Sequence, residues 1–494
     1  MKKIILTALP ALLMATIVSA QNEDDAYRLS MGTPASTALS LGMGGVGASM
    51  GGDFNTLSIN PSGIAVYRSG EISITPVYKF GTNKSNVEGS SSDARNSKMS
   101  LANLGIIMHR NLNAGNWRSV SFGLGMNTIA NYNQKFNAQM QSDKTSITDV
   151  FAATAQELGT SETVLPPYGF LGFQGYLLDG SLNSVIPVGT NLLHNKEVQH
   201  FGSKKEYTLS IGGNYAEKFL IGATVGINSM DYVKHTVNTE QDRSGNTDND
   251  FQSLELLERI GTSGMGVNVK IGGTYVVSPM LKFGLAVHTP TWFSLTDIMD
   301  YRLESNTENF KADAGFPDTN PVSIAQPTNG YQFNYSLSTP WRLVAGGTAL
   351  IRNMGMLSAD YEYVPYHSMR YKMADDRAYE TIVNNNIKNK YTASHILRLG
   401  GELVFDNIFL RAGGAYHSSP LQQSATYGGA RTDFSVGAGL RYNNFFLDLG
   451  YMHSRMKTSD LLHDVSAANS LNPVISSNGK HNQIALTLGM KFRK

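Results

Sequence analysis

The segment IALTLGMKF near the end of the chain alternates without a break. Ile484, Leu486, Leu488, Met490 and Phe492 fall on one face of an extended backbone, and Ala485, Thr487, Gly489 and Lys491 on the other. The same split recurs in VSFGLGMN, where Val120, Phe122, Leu124 and Met126 oppose Ser121, Gly123, Gly125 and Asn127. In YTLSIGGNY it sets Tyr207, Leu209 and Ile211 against Thr208, Ser210 and Gly212; in LRLGGELVF it sets Leu397, Leu399, Leu403 and Phe405 against Arg398 and Glu402. A strand with one apolar face and one polar or small face fits a half-buried soluble sheet or a barrel wall in lipid.

The connections separate these two. Following the period of two along the chain predicts fourteen strands: 71–83, 98–110, 117–132, 205–216, 219–237, 264–277, 281–295, 331–351, 356–371, 392–405, 408–418, 432–442, 445–456 and 481–492. Tight turns are expected at Glu217-Lys218, Ser278-Pro279, Asn353, Asp406-Asn407 and Asn443-Asn444. The alternate connections are long and polar, at 133–204, 238–263, 296–330, 372–391 and 457–480. Short turns at one end and long loops at the other, extracellular end are how outer-membrane barrels are strung, whereas a sandwich has no reason to sort its loops by parity. The expected fold is therefore all-β: a 14-stranded antiparallel transmembrane β-barrel over 71–494. Phe492 near the end of the last strand fits that reading, as do the aromatics Tyr132, Trp292, Trp341, Tyr442 and Phe445 near strand ends.

Export is written at the start of the chain. Lys2 and Lys3 precede an apolar run from Ile4 to Val18 and small residues at Ser19-Ala20, the pattern of a Sec signal peptide over 1–20 with cleavage near Ala20. Beyond it no apolar stretch of about 18 residues occurs, so no helical span is predicted. There is no cysteine, hence neither a lipoprotein anchor nor a disulfide. Charge is balanced, 40 basic against 39 acidic residues, and nominates no nucleic-acid partner. Glycine (49), tyrosine (23) and phenylalanine (21) are abundant while charged residues are only 16%, against roughly 25% in soluble domains.

Gly42-Met-Gly-Gly-Val-Gly47 matches the G-x-G-x-x-G spacing of dinucleotide-binding loops, but no apolar strand precedes it and no crossover helix follows. The segment 21–70 is instead the right size for a hatch, a plug inside the barrel lumen, where glycines let the backbone lie against the wall. Here the chain resembles the FadL-type outer-membrane transporters of long-chain fatty acids and hydrocarbons, whose hatch carries Gly-Met-Gly-Gly followed by Asn-Pro-Ala-Gly. This sequence has Gly42-Met43-Gly44-Gly45 and then Asn60-Pro61-Ser62-Gly63, with serine in place of the usual alanine. KFGLAVHTPTWFSL (282–295), STPWRLVAGG (338–347), LRAGGAYHSSPL (410–421) and LDLGYMHS (447–454) look like strand motifs of that family in the expected order. The resemblance implies capture of a hydrophobic molecule by the outer loops, an apolar pocket near the hatch, and sideways release through a kinked strand. It also implies an outer-membrane location and a hydrophobic small-molecule cargo, with no enzymatic activity and no cofactor; a monomer is expected.

Within that frame Asn60, Pro61 and Gly63 are expected to anchor the hatch. The apolar residues Phe151, Leu165, Phe170 and Phe173 are candidates for capture, or else pack a small helical cap on themselves. By parity Lys270, Arg398 and Arg411 point inward and could meet a carboxylate head, but Asp360, Glu362, Glu402 and Asp448 also point inward and could pair with them. Gly123 and Gly125 are candidates for the exit kink. Two other readings are weighed. A hemin receptor would use histidines, and His109, His194, His200, His235 and His288 are available, though no spacing singles out a pair and no metal site is assigned. A barrel lipase or protease would need a nucleophile motif, and no G-x-S-x-G occurs.

Overall fold

A computed structural model describes residues 22–32, 36–164, 166–247, 249–308, 321–352, 354–374, 376–423, 428–463 and 473–492. The signal segment, Asn353 and Leu165 lie outside them. Fourteen antiparallel strands close into a barrel: β1 (Gly70–Val87), β2 (Ser90–Ala114), β3 (Trp117–Asn131, continuing as Gln134–Ser142), β4 (Leu192–Tyr215), β5 (Phe219–Asp242), β6 (Ser253–Ser278) and β7 (Leu281–His288, continuing as Trp292–Asn306). The circuit goes on through β8 (Val322–Ser338 and Arg342–Ile351), β9 (Gly355–Pro365 and Arg370–Lys372), β10 (Ala393–Phe405), β11 (Ile408–His417), β12 (Gly428–Tyr442), β13 (Phe445–Leu461) and β14 (Val474–Phe492). Closure comes from β1 against β14, in register from Gly70 opposite Phe492 to Asn86 opposite Ser476.

Burial follows the alternation. Along β5, Phe219, Ile221, Val225 and Ile227 are exposed on the outside while Leu220, Thr224 and Asn228 are buried. Ile484, Leu486 and Leu488 are exposed on β14 while Ala485 and Thr487 are buried. The exposed apolar residues continue around the barrel through Leu209, Ile271, Leu285, Leu399 and Leu449. A patch of that extent is incompatible with water and fits lipid.

Several strands run further than expected. β5 and β6 stay paired out to Gln241 opposite Ser253, so the connection expected at 238–263 is mostly strand. β3 and β4 pair out to Ser142 opposite Leu192, β13 and β14 out to Leu461 opposite Val474, and β7 and β8 out to Ser305 opposite Val322. β1 and β2 meet at a two-residue turn, Glu88-Gly89, with φ of 46° and 85°, the all-positive pattern of a tight hairpin. Outward residues turn polar beyond the apolar band, as at Asp231 on β5 and Arg259 on β6. Both faces of such an overhang meet water or other polar groups, so the period of two fades there and the sequence reads as loop.

Helices sit at the mouth that carries the long connections and inside the lumen. α1 (Glu23–Ser30), α2 (Ala38–Gly42) and two 3-10 turns, Phe54–Ser58 and Pro61–Val66, belong to the hatch. α3 (Ile147–Leu158) and α4 (Tyr168–Gln174) form a cap, and α5 (Arg377–Lys390) fills the connection expected at 372–391.

Candidate functional site

The hatch is built by caps and close backbone approach. Thr37 caps α2 by accepting from Ser40 N, and the helix is stopped by Gly44 and Gly45, with φ of 69° and 81°. Gly45 N donates back to Ser40 O at 2.8 Å, closing a left-handed C-terminal turn. The G-x-G-x-x-G glycines therefore end a helix instead of leading into one. Gly42 lies against the backbone of Gly437, and Gly44 against Gly414, so hatch and wall meet glycine to glycine. The wall answers all round the barrel: a side chain at Gly105 would strike Phe54, at Gly222 Pro61, at Gly272 Asn60, at Gly400 Met43 and at Gly450 Ala38. β9 contributes Asp360, whose carboxylate accepts from Gly47 N at 2.6 Å and Ala48 N at 2.8 Å.

Asn60 ties the second half of the hatch together. Its Nδ2 donates to Ala48 O at 2.5 Å and to Gly273 O at 3.3 Å, while Oδ1 accepts from Ser62 N at 3.1 Å and Ser62 Oγ at 2.8 Å. Pro61 opens the following 3-10 turn, where a missing N–H costs nothing. Ser62 Oγ also meets Thr274 Oγ1 on β6 at 2.7 Å, a contact alanine could not make. Gly63 packs against Thr56 and Gly51, and its carbonyl accepts from Gly52 N at 3.1 Å. Asp53 accepts from Thr37 Oγ1 at 2.9 Å and Asn55 N at 3.0 Å; burial nevertheless raises its carboxyl to about 6.

The inward cations are held by anions. Lys270 contacts Glu206; Arg398 donates to Glu362 at 2.6 Å; Arg411 donates to Glu402 at 2.7 Å and to Asp448 at 2.6 Å. Arg398 Nη1 and Arg411 Nη2 have no hydrogen-bond partner among the described residues. Arg398 lines a small cavity beside Gly44 and Gly45, together with Lys79, His417, Arg431 and Asp433. Its internal space is about 30 Å³, room for roughly one water molecule. Further toward the mouth an apolar cluster fills the lumen, with Ala26 and Leu29 of α1 among Tyr132, Tyr232, Phe293, Leu337 and Tyr371 of the wall and Val383 and Ile387 of α5. Tyr27 of α1 stacks on Tyr391 at 5.3 Å, and Lys390 donates to Asp24 at 2.7 Å. Lys204 caps the other end of α1 through Leu29 O and Met31 O, at 2.8 and 2.6 Å.

Gly123 and Gly125 do not kink β3. The ladder runs unbroken through both, against Ile107 and Gly105 on one side and Ser210 and Thr208 on the other. Their lack of side chains makes room for Leu57, Ile64 and Phe54 of the hatch. The register shifts of the strand lie on either side of them, between Trp117 and Ser119 and between Thr128 and Ala130. Among the described residues, main-chain pairing of β2 with β3 ends at Asn103 opposite Asn127, although β2 stays paired with β1 and β3 with β4 well beyond. Side chains bridge the parted strands: Thr128 Oγ1 donates to Leu101 O at 2.8 Å, and Asn96 Nδ2 to Asn133 O at 2.7 Å. Thr128, Ile129 and Ala130 line the cavity that Arg398 lines.

The cap residues divide. Phe151 is fully buried between α3, α4 and the wall, Phe170 packs partly buried against the same cluster, and Phe173 is 40% exposed. Of the histidines, His109 meets Ser121 at 3.0 Å, His200 meets Tyr232 at 2.7 Å, His288 meets Ile59 O at 2.7 Å, and His235 packs edge-on to Phe201. His194 meets Glu240 at 3.0 Å, and beside them lies His463, a residue the sequence reading passed over. The pairing of β4 with β5 sets His194 opposite Glu240, and closure of the barrel brings His463 to them.

No family model matches the chain, and no curated protein matches it. Solved structures do. A Pseudomonas aeruginosa FadL homologue is 14% identical, with 94% of this chain and 100% of that chain covered at a TM-score of 0.58. The Pseudomonas putida toluene transporter TodX is 10% identical over 94% and 100%, at 0.51. The Ralstonia pickettii toluene transporter TbuX is 12% identical over the same shares, at 0.50. Over nearly its whole length, this chain has the fold of a FadL homologue and of two toluene transporters: a hatch-stoppered transmembrane β-barrel.

Proposed function

We propose that the protein is a non-enzymatic carrier that moves hydrophobic small molecules, long-chain fatty acids or related lipids and hydrocarbons, through the bacterial outer membrane. The observation that carries this reading is a pairing of two features. The hatch closes the axial path through the lumen, while the wall is unzipped between β2 and β3 beside the cavity above the hatch. An aqueous pore would need the first feature removed and would gain nothing from the second. A lipid-soluble cargo gains about 0.8 kcal/mol per methylene kept out of water, so a route from an apolar lumen sideways into the bilayer suits it.

In this mechanism the mouth admits the cargo and the cluster around α1 receives it. The cluster is filled by Ala26, Tyr27 and Leu29, so α1 must give way for an acyl chain to enter. An acidic head would find Lys79, Arg398 and Arg431 around the small cavity, with Asp433 the facing carboxylate. Release then passes Thr128 to Asn133, where among the described residues side chains bridge β2 and β3 beyond the end of their ladder, and not the region of Gly123 and Gly125. Among the described cap residues the exposed Phe173 is the candidate for first contact. The working unit is a monomer, each barrel holding its own hatch, cluster and seam. The sequence resemblance to FadL-type transporters and the shared fold with proteins named as toluene transporters support the same class of cargo.

The test is uptake of radiolabelled oleate by cells that lack their own fatty-acid carrier and express this chain. Uptake above the empty-vector control supports the proposal. Uptake equal to the control, with the barrel assembled in the outer membrane, contradicts it for fatty acids.

A further inference from the structure

We propose that His194, Glu240 and His463 form a binding site for a divalent transition-metal ion of the zinc type at the mouth of the barrel. His194 on β4 and Glu240 on β5 are directly opposite one another in register, and His463 reaches them from just beyond the end of β13. All three are buried, at 1%, 1% and 4% exposure. His194 Nδ1 lies 3.0 Å from Glu240 Oε1, His463 Nε2 lies 3.6 Å from the same oxygen, and one donor atom from each residue falls within 4.8 Å of the others. Ligand atoms about 2.0–2.1 Å from a tetrahedral zinc ion stand roughly 3.3 Å apart, so the observed separations bracket that spacing.

A plain hydrogen-bond network accounts for part of this arrangement. Glu240 accepts from Ser146 Oγ at 2.5 Å and Ile147 N at 2.7 Å, which anchors the start of α3. It does not account for two imidazoles converging on one buried carboxylate oxygen, His194 Nδ1 at 3.0 Å and His463 Nε2 at 3.6 Å, the second longer than a hydrogen bond. Two imidazoles and one carboxylate make a donor set suited to zinc, with a fourth position left for water or another ligand. The bonds from Ser146 and Ile147 to Glu240 are the kind of outer contacts that orient a ligating carboxylate. The neighbouring cation Lys196 is engaged elsewhere, donating to Leu461 O at 2.6 Å and lying 4.0 Å from Asp460.

The placement gives the ion a consequence. In sheet order β14, β1, β2 and β3 lie between β13 and β4. A metal here would tie the connection after β13 to the β4–β5 hairpin and to the cap helix α3, across the mouth. This inference does not depend on the identity of the cargo.

The experiment uses tag-free, full-length mature protein in detergent, stripped with EDTA and titrated with zinc chloride by calorimetry, with metal content measured by mass spectrometry. The expected result is one zinc ion per chain, with affinity falling at least ten-fold in His194→Ala and in His463→Ala. The variants leave Glu240 in place to cap α3, and heat-modified gel mobility checks that they assemble. Wild-type binding no tighter than that of a His194→Ala/His463→Ala double variant would overturn the proposal. Should the variants not assemble, cobalt chloride added to the wild type decides: the visible bands of tetrahedral cobalt support the site, and their absence overturns it.

Discussion

Asn60 shows how much a single side chain does in this lumen. It closes its own turn onto Ser62 and holds both Ala48 and the wall at Gly273. Asn60→Ala leaves those buried groups unpaired, at about 1–3 kcal/mol, in the hatch and not in the barrel. The expected outcome is a correctly assembled barrel that leaks a small polar dye in proteoliposomes. Gly272→Leu should do the same from the other side, since its side chain would occupy the place of Asn60; a tight barrel in both variants would contradict the anchoring role. Asp53 adds a pH dependence. Its pKa is raised from 3.8 to about 6 by burial, so the folded hatch holds a proton that the unfolded segment releases between those values. The contribution of Asp53 to hatch stability is therefore greatest below about pH 4 and is lost as pH rises through 6. Wild-type dye leakage should be greater at pH 7 than at pH 5, and Asp53→Asn should remove the difference. Asn60, Pro61 and the glycines were legible in the sequence because turns and close approach demand those residue types. The trio of His194, Glu240 and His463 was not: His194 and Glu240 are register partners on β4 and β5 but lie in an overhang that reads as loop, and nothing local records that barrel closure brings His463 to them.

At the scale of elements, the sequence was legible wherever the outer face meets lipid. Phe219, Ile221, Val225 and Ile227 alternate with buried positions because hydrocarbon penalises a polar residue on that face. Beyond the band the penalty ends, which is why the overhangs of β3 to β8 read as loops. The parting of β2 from β3 left no signal either, since a period of two records which face is buried and not which neighbour a strand pairs with. Glycine in a strand suggests a kink at Gly123 and Gly125, but the ladder is regular there and both positions lie against Phe54, Leu57 and Ile64. α1 carries the element-scale prediction. Its apolar side chains occupy the cluster assigned to the cargo, so they compete with any ligand for it. A chain lacking residues 22–32 should bind oleate more tightly than the full mature chain, measured by displacement of a fluorescent fatty acid. Equal affinity would place the cargo elsewhere.

The whole molecule joins a closed wall, an internal stopper and a seam where β2 and β3 part. The wall makes the protein dependent on lipid or detergent: its exposed face is apolar around the circumference, and the mature chain should precipitate on detergent removal. The stopper closes the axial path, and the seam is the proposed exit, one by which an oily molecule leaves without crossing water. The chain contains no cysteine, so a Leu101→Cys/Thr128→Cys pair carries its only thiols across the parted strands. The most direct measurement is uptake of labelled oleate by carrier-deficient cells expressing that double variant, before and after a short reducible bis-thiol cross-linker. The account predicts at least a ten-fold loss of uptake on cross-linking and recovery on reduction; uptake unchanged by a verified cross-link would contradict release through the wall.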